Sequence, residues 1–196
     1  YFGSALKLCG IAALLEGICM LGMEQAYPEA FAARVYKISR DAQGNRLTHV
    51  KITGGKLKVR DLLTNQTKGK GAEACWEEKV SQIRIYSGAS FRSVNEVQAG
   101  QICALTGLNH THSGEGLGAE RDSELPVLEP VLSYQICLPD DCDVHQTYRK
   151  LLQLEEEEPE LHIAWNEQKN EIYAQLLGEV QIEVLKNMIR ERFGIA

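Results

Sequence analysis

The residues best able to do chemistry in this chain of 196 residues are cations. Lys51, Lys56, Lys58, Arg60, Lys68 and Lys70 fall in one short stretch. Such a set can neutralise phosphates of an RNA backbone, in contacts that are salt-sensitive and blind to sequence. An ordinary basic surface has the same composition. Nucleoside-triphosphate hydrolysis would need a GxxxxGK[ST] loop and a Mg²⁺ site. "TGGKLKV" and "KGKGAEA" both fail that pattern, because Lys56 is followed by Leu57 and Lys70 by Gly71. His110 and His112, in "NHTHSGEG", could supply half of a metal site, but no Cys lies near them and a solvated hairpin tip is the simpler reading. The six cysteines, Cys9, Cys19, Cys75, Cys103, Cys137 and Cys142, contain no CxxC pair and are read as reduced thiols. Glu155 to Glu158 are four like charges at the end of a helical segment, where they oppose the macrodipole, and they read as a solvated terminus. Trp76 and Trp165 are expected in cores.

These side chains need elements to hold them. Residues 7–22 place Leu8, Ile11, Leu14, Leu15 and Ile18 at helical spacing, which predicts an amphipathic helix ended by Gly22. The preceding "GSAL" turn, taken alone, is a helix entry with Ser4 as N-cap. From residue 31, apolar-polar alternations recur between turn signals: "FAARVYKI", "RLTHVKI", "KLKVRDLLT", "EEKVSQIRIYSG" and "QICALTGL". Five or six short strands predict a closed six-stranded antiparallel β-barrel, with "DAQGN" as one hairpin turn. From residue 131 the pattern becomes strand, helix, strand, strand, helix. Asp143 is the expected N-cap, and Val144, Tyr148, Leu151 and Leu152 the inner face of the first helix. Pro159 stops that helix. Val180, Val184, Leu185, Met188 and Ile189 are expected inward in the last helix, with Gly194 as C-cap. This order is a split-βαβ, ferredoxin-like unit lacking its last strand.

Charge divides the chain. Residues 27–126 carry 14 basic and 11 acidic side chains, whereas 127–196 carry 6 and 14. With Pro126 and Pro130 in "SELPVLEPVL", the shift marks a boundary near 126. The divisions expected are therefore 1–26, a turn and helix; 27–126, the barrel; and 127–196, the incomplete split βαβ. The missing start methionine and the stop just past Gly194 give the expectation of a fragment severed at both ends. No apolar run reaches the ~18–20 residues of a membrane span; Cys9 to Gly22 is shorter and contains Glu16.

Three pieces in this order resemble the region behind the G domain in translational GTPases of the elongation factor G family. "FGSAL" followed by "GIAALLEGI" is similar to the end of a G domain. "ARVYKISRDAQGNRLTHVKITGGKLKVRDLL" and "NEVQAGQICALTGLNHTHSGEGL" are similar to the family's second domain. "LEPVLSYQICLPDD" and "LLGEVQIEVLKNMIRERFGI" are similar to its third. "LLGEVQIEVL" looks closer to the ribosomal protection proteins of tetracycline resistance than to elongation factor G itself.

The resemblance implies that the intact parent uses GTP and Mg²⁺, with no cofactor expected on this piece. It implies that Ser4, Ala5 and Leu6 match the loop beside the guanine base. It implies a cytoplasmic protein whose barrel docks on small-subunit RNA and protein of the ribosome, whose third domain relays nucleotide state, and which also contacts its own G domain and later domains. Neither membrane nor DNA is among the implied partners. A translocase or release-type factor is an alternative within the family. A stand-alone RNA- or protein-binding barrel is the alternative outside it.

Overall fold

The computed structural model describes residues 1–22, 26–65, 76–123, 130, 132–139 and 142–195. The architecture is mixed β and α+β, with two hydrophobic cores. The boundary expected near 126, and with it Pro126, lies outside the described residues, as do Lys68, Lys70 and Cys75.

The first helix is shorter than its pattern. Helix α1 runs Ile11–Leu21, and Gly22 donates its N–H to the Ile18 carbonyl at 2.8 Å. Leu8 (φ 52°) and Gly10 (φ 77°) sit in the left-handed region, which interrupts any helix starting at residue 7. The expected packed face does not form: Leu8, Leu14, Leu15 and Ile18 are 78%, 43%, 57% and 58% exposed. Nor does Ser4 cap the helix; its Oγ accepts from Lys7 N–H at 3.3 Å within the preceding turn.

Ten strands follow: β1 Ala32–Arg40, β2 Arg46–Gly54, β3 Lys56–Lys58, β4 Leu62–Thr64, β5 Glu77–Lys79, β6 Gln82–Ser87, β7 Ser90–Val94, β8 Glu96–Gln98, β9 Ile102–Thr106 and β10 Gly116–Gly118. Six make one antiparallel sheet in the order β10-β1-β2-β9-β6-β7, and β3-β8 and β4-β5 form two short ladders. "KLKVRDLLT", read as one strand, is two, because Arg60 takes φ 75° and turns the chain between β3 and β4. "EEKVSQIRIYSG" likewise divides into β5 and β6, where Val80 and Ser81 each donate to a carbonyl outside the ladder.

One core lies inside the sheet and both ladders. Cross-strand register lines up Ile38, Thr48, Leu105 and Ile83 on adjacent strands. Leu57, Leu63, Val97 and Leu117, from β3, β4, β8 and β10, complete this core and are at most 5% exposed. Burying each such side chain stabilises by about 1.5–3 kcal/mol before chain entropy is counted. Trp76 belongs to this core. Alternation along β1 runs Ala33, Val35, then Ile38, because a bulge between Val35 and Lys37 shifts the phase. The bulge leaves Tyr36 47% exposed.

The second unit is β11 Leu132–Ile136, α2 Val144–Glu157, a 3-10 turn Pro159–Leu161, β12 Ala164–Asn166, β13 Glu171–Leu176 and α3 Glu179–Phe193. Its sheet has the antiparallel order β11-β13-β12. Asp143 caps α2, its Oδ1 accepting from Gln146 N–H at 2.8 Å. Gly194, at φ 68°, closes α3. Leu151 and Leu154 are fully buried, and Leu185 and Ile189 meet them from the second core's other helix. Trp165 packs against this core. Val180 and Val184 do not point inward as expected; they are 76% and 52% exposed. At 3.6 residues per turn the face centred on Leu185 and Ile189 takes in Ile182 and Met188, whereas Val184 and Val180 turn away from it, Val180 to nearly the opposite side.

The acidic run is not a solvated terminus. Glu155 Oε1 accepts from Ile163 N–H at 3.0 Å. Glu156 Oε2 lies 2.9 Å from Arg40 Nη2 and 3.1 Å from Arg46 Nε. Glu157, 8% exposed, holds Arg192 through two contacts of 2.5 and 2.8 Å. Three of these carboxylates thus tie α2 to neighbouring elements. The Glu156 pairs join the second unit to β1 and β2.

Candidate functional site

Of the six expected RNA-facing cations, Lys56, Lys58 and Arg60 share one exposed stretch, because the strand alternation of β3 buries Leu57 between the two lysines. Lys58 Nζ lies 3.4 Å from Glu96 Oε2 on the paired strand β8, so part of its charge is already matched. Lys51 is exposed on β2, in the larger sheet, beside Ile102 of β9. The set is therefore distributed over two sheets.

The turn carrying Ser4, Ala5 and Leu6 is a closed loop. Ser4 and Cys9 exchange backbone hydrogen bonds of 3.0 and 3.1 Å, and Leu8 N–H donates to the Ala5 carbonyl at 3.2 Å. Leu6 stands at the tip, 94% exposed. The loop is built from its own backbone.

The two histidines do not converge on one point. His110 Nδ1 lies 2.9 Å from Glu78 Oε1, and His112 Nδ1 lies 3.3 Å from Glu115 Oε2. Among the described residues no cluster of three or more His, Cys, Asp or Glu could hold a metal ion. Five cysteines are free thiols in the described residues. Burial pushes the Cys103 thiol up to about 12, which makes it inert in the folded barrel.

Glu115 is a fully buried carboxylate. Oε1 accepts from Trp76 Nε1 at 3.3 Å, and Oε2 accepts from His112 N–H at 3.1 Å. Burial alone would raise its pKa. The hydrogen bonds and charge of His112, with the Trp76 indole, outweigh burial and hold it below the ordinary 4.5. A depressed carboxylate stabilises the fold above its unfolded pKa and loses that contribution as pH falls through the folded value. Glu115→Gln is thus expected to flatten the acid limb of stability, losing less between pH 6 and pH 3 than the parent chain. Unfolding midpoints across that range measure it; parallel curves would refute it.

A second constellation lies on the outer face of the six-stranded sheet. Tyr36 of β1 is 6.0 Å from the His49 ring of β2, His49 is 6.1 Å from Tyr86 of β6, and Tyr86 is 5.4 Å from Phe91 of β7. The Arg84 guanidinium lies 4.4 Å from the Phe91 ring centre. Arg84 Nη1 is also held 2.9 Å from Asp41 Oδ2. Asp41 stays ionised, its carboxyl lowered to about 2 by the Asn45 side chain first, against burial, and by Arg84. Burial, with Lys37 beside it, lowers His49 and keeps the ring neutral near pH 7. Sequence reading missed these rings, which come from positions 36 to 91 and meet only through the sheet order.

Residues 30–119, which contain both the cations and the rings, match the family model of elongation factor G domain 2. The tetracycline resistance protein TetP of Clostridium perfringens is 30% identical over 204 residues, covering 100% of this chain and 30% of that protein. Elongation factor G of Amoebophilus asiaticus is 25% identical over 218 residues, covering 98% of this chain and 30% of that protein.

The chain carries a domain of the elongation factor G family.

It spans less than a third of the length of these elongation factor G and TetP relatives. A solved structure from Thermus thermophilus shares the fold, with a TM-score of 0.69 at 20% identity, over 95% of this chain and 28% of that one. Within this elongation factor G domain 2, Lys51, Lys56, Lys58 and Arg60 and the four rings all fall inside the matched residues, whereas Ser4, Ala5 and Leu6 precede them.

Proposed function

We propose that this chain is the ribosome-docking and relay part of a GTP-driven, cytoplasmic translation factor that protects ribosomes from tetracycline. The observation that supports it best is the alignment of TetP over the whole chain, at 30% identity, against 25% for the elongation factor G of Amoebophilus asiaticus. In this reading residues 27–126 dock on small-subunit RNA, with Lys51, Lys56, Lys58, Arg60, Lys68 and Lys70 meeting phosphates. Residues 127–196 relay nucleotide state, and residues 1–26 close a G domain that holds GTP and Mg²⁺ in the intact parent. Ser4, Ala5 and Leu6 would then stand beside the guanine base. The sequence contains no GxxxxGK[ST] loop, so the relay role needs that parent.

Two measurements test this. Sedimentation with small ribosomal subunits reads docking: Lys56→Glu with Arg60→Glu is expected to weaken binding and to lower the log–log salt slope by about 1 per lost phosphate contact. Unchanged affinity and slope would remove these residues from the interface. Drug tolerance of a host expressing the full-length protein reads outcome. Raised tolerance supports protection. Rescue of a translocation defect without raised tolerance supports the translocase reading, which the elongation factor G relatives favour.

A further inference from the structure

We propose that the outer face of the six-stranded sheet, built on Tyr36, His49, Tyr86 and Phe91, binds unpaired bases of RNA by stacking. For its partner this rests on the RNA-docking reading above, but the surface is a different one from the cation stretch on β3. The four rings form an unbroken line across the sheet, with neighbouring centroids 5.4–6.1 Å apart. Tyr36, Tyr86 and Phe91 are 47%, 37% and 46% exposed, as is Ile102 at 56% beside Lys51. Between His49 and Arg84 in cross-strand register stands only the methyl of Ala104, so the centre of the line is shallow. A soluble sheet face does not ordinarily present rings in series to water, and such a series marks a binding surface.

Charge decides among occupants. The acids on this face, Asp41 and Glu120, are already matched to Arg84 and Arg34. Lys37 and Lys51 are exposed beside the rings and have no ion pair among the described residues. Unmatched cations beside flat π surfaces suit a strand with a phosphate backbone and splayed bases. They do not suit a basic or purely apolar protein surface. Base-paired RNA keeps its bases stacked on one another and would offer only phosphates. The rings are also held in place: Ser39 Oγ lies 2.8 Å from His49 Nε2, and Arg84, fixed by Asp41 and Gln82, backs Phe91.

Fluorescence anisotropy with a labelled uridine dodecamer, and with an RNA duplex of equal length, tests this on the 196-residue chain. The single strand is expected to bind about tenfold tighter than the duplex. Tyr86→Ala with Phe91→Ala is expected to lose about tenfold for the single strand and little for the duplex. Both positions are solvent-facing, so the unfolding midpoint should move little; if the pair fails to fold, Lys37→Glu with Lys51→Glu reads the same face, and an unchanged single-strand affinity there overturns the proposal. So does equal binding of strand and duplex, or an unchanged affinity in the ring variant. A ring variant that loses small-subunit pelleting yet keeps dodecamer binding overturns it in favour of a protein contact. A chain that pellets with small subunits but ignores the dodecamer overturns it while leaving the docking reading in place.

Discussion

Arg46→Ala is expected to lower the free energy of unfolding by about 3 kcal/mol, read by urea denaturation at neutral pH. The Arg46 side chain is 9% exposed and spends its donors inside the barrel. Nη1 donates to the Leu108 carbonyl at 2.8 Å, Thr111 Oγ1 at 3.0 Å and Thr48 Oγ1 at 3.2 Å, and Nη2 donates to the Thr111 carbonyl at 2.5 Å. Truncation would leave several of these acceptors without a donor, and each buried orphan costs about 1–3 kcal/mol. Lysine cannot reproduce a planar fork with this many partners, so Arg46→Lys should recover little. The fifth contact, to Glu156, is a different matter. Glu156 is 42% exposed, and Glu156→Ala should cost less than about 1 kcal/mol. Equal losses for Arg46→Ala and Glu156→Ala would mean that the inter-unit pair, not the barrel network, is what Arg46 supports.

That inequality has a consequence for movement. The ion pairs joining the barrel to the second unit, Arg40–Glu156 and Arg46–Glu156, meet at a half-exposed carboxylate, whereas each unit has its own dry core. Leu154→Ala should therefore destabilise one unit alone. Leu154 is fully buried among Leu151, Ile163, Leu185 and Ile189. Its truncation removes packed volume and leaves a cavity, for a loss of about 2–5 kcal/mol. Cys103 is a reporter in the other core: 2% exposed, with its thiol pushed up to about 12. At a urea concentration that melts the helices of the Leu154→Ala variant, Cys103 is expected to stay unreactive towards a thiol reagent. If Cys103 opens in step with the helical signal, the two cores fold as one and a relay by relative movement of the units loses its physical basis.

What could be read from the residues was what is local. Strands β2 and β13 show in their alternation, because one face of each is buried and the period is two. Asp143 and Pro159 delimit α2 through contacts within four residues. The three-residue strands β3, β4, β5, β8 and β10 are too short to hold a period, and their partners lie far along the chain. Arg60 turns at positive φ without the glycine that usually announces it. Val180 and Val184 were misplaced because an apolar residue on a helix need not face the core; Leu185 and Ile189 already fill it. The acidic run looked solvated because the basic partners Arg40, Arg46 and Arg192 are 35 to 116 residues away. The ring line on the sheet face was hidden for the same reason. Family resemblance, by contrast, was carried by whole strand-turn cadences and covered both units.

Hydroxyl-radical footprinting of small-subunit RNA with this chain bound tests the central claim most directly, that the barrel docks on the small subunit. The expected result is a compact protected patch on small-subunit RNA, contained within the patch protected by an intact elongation factor G and weakened by Lys56→Glu with Arg60→Glu. Protection confined to the large subunit, or none at chain concentrations that saturate pelleting, would contradict it.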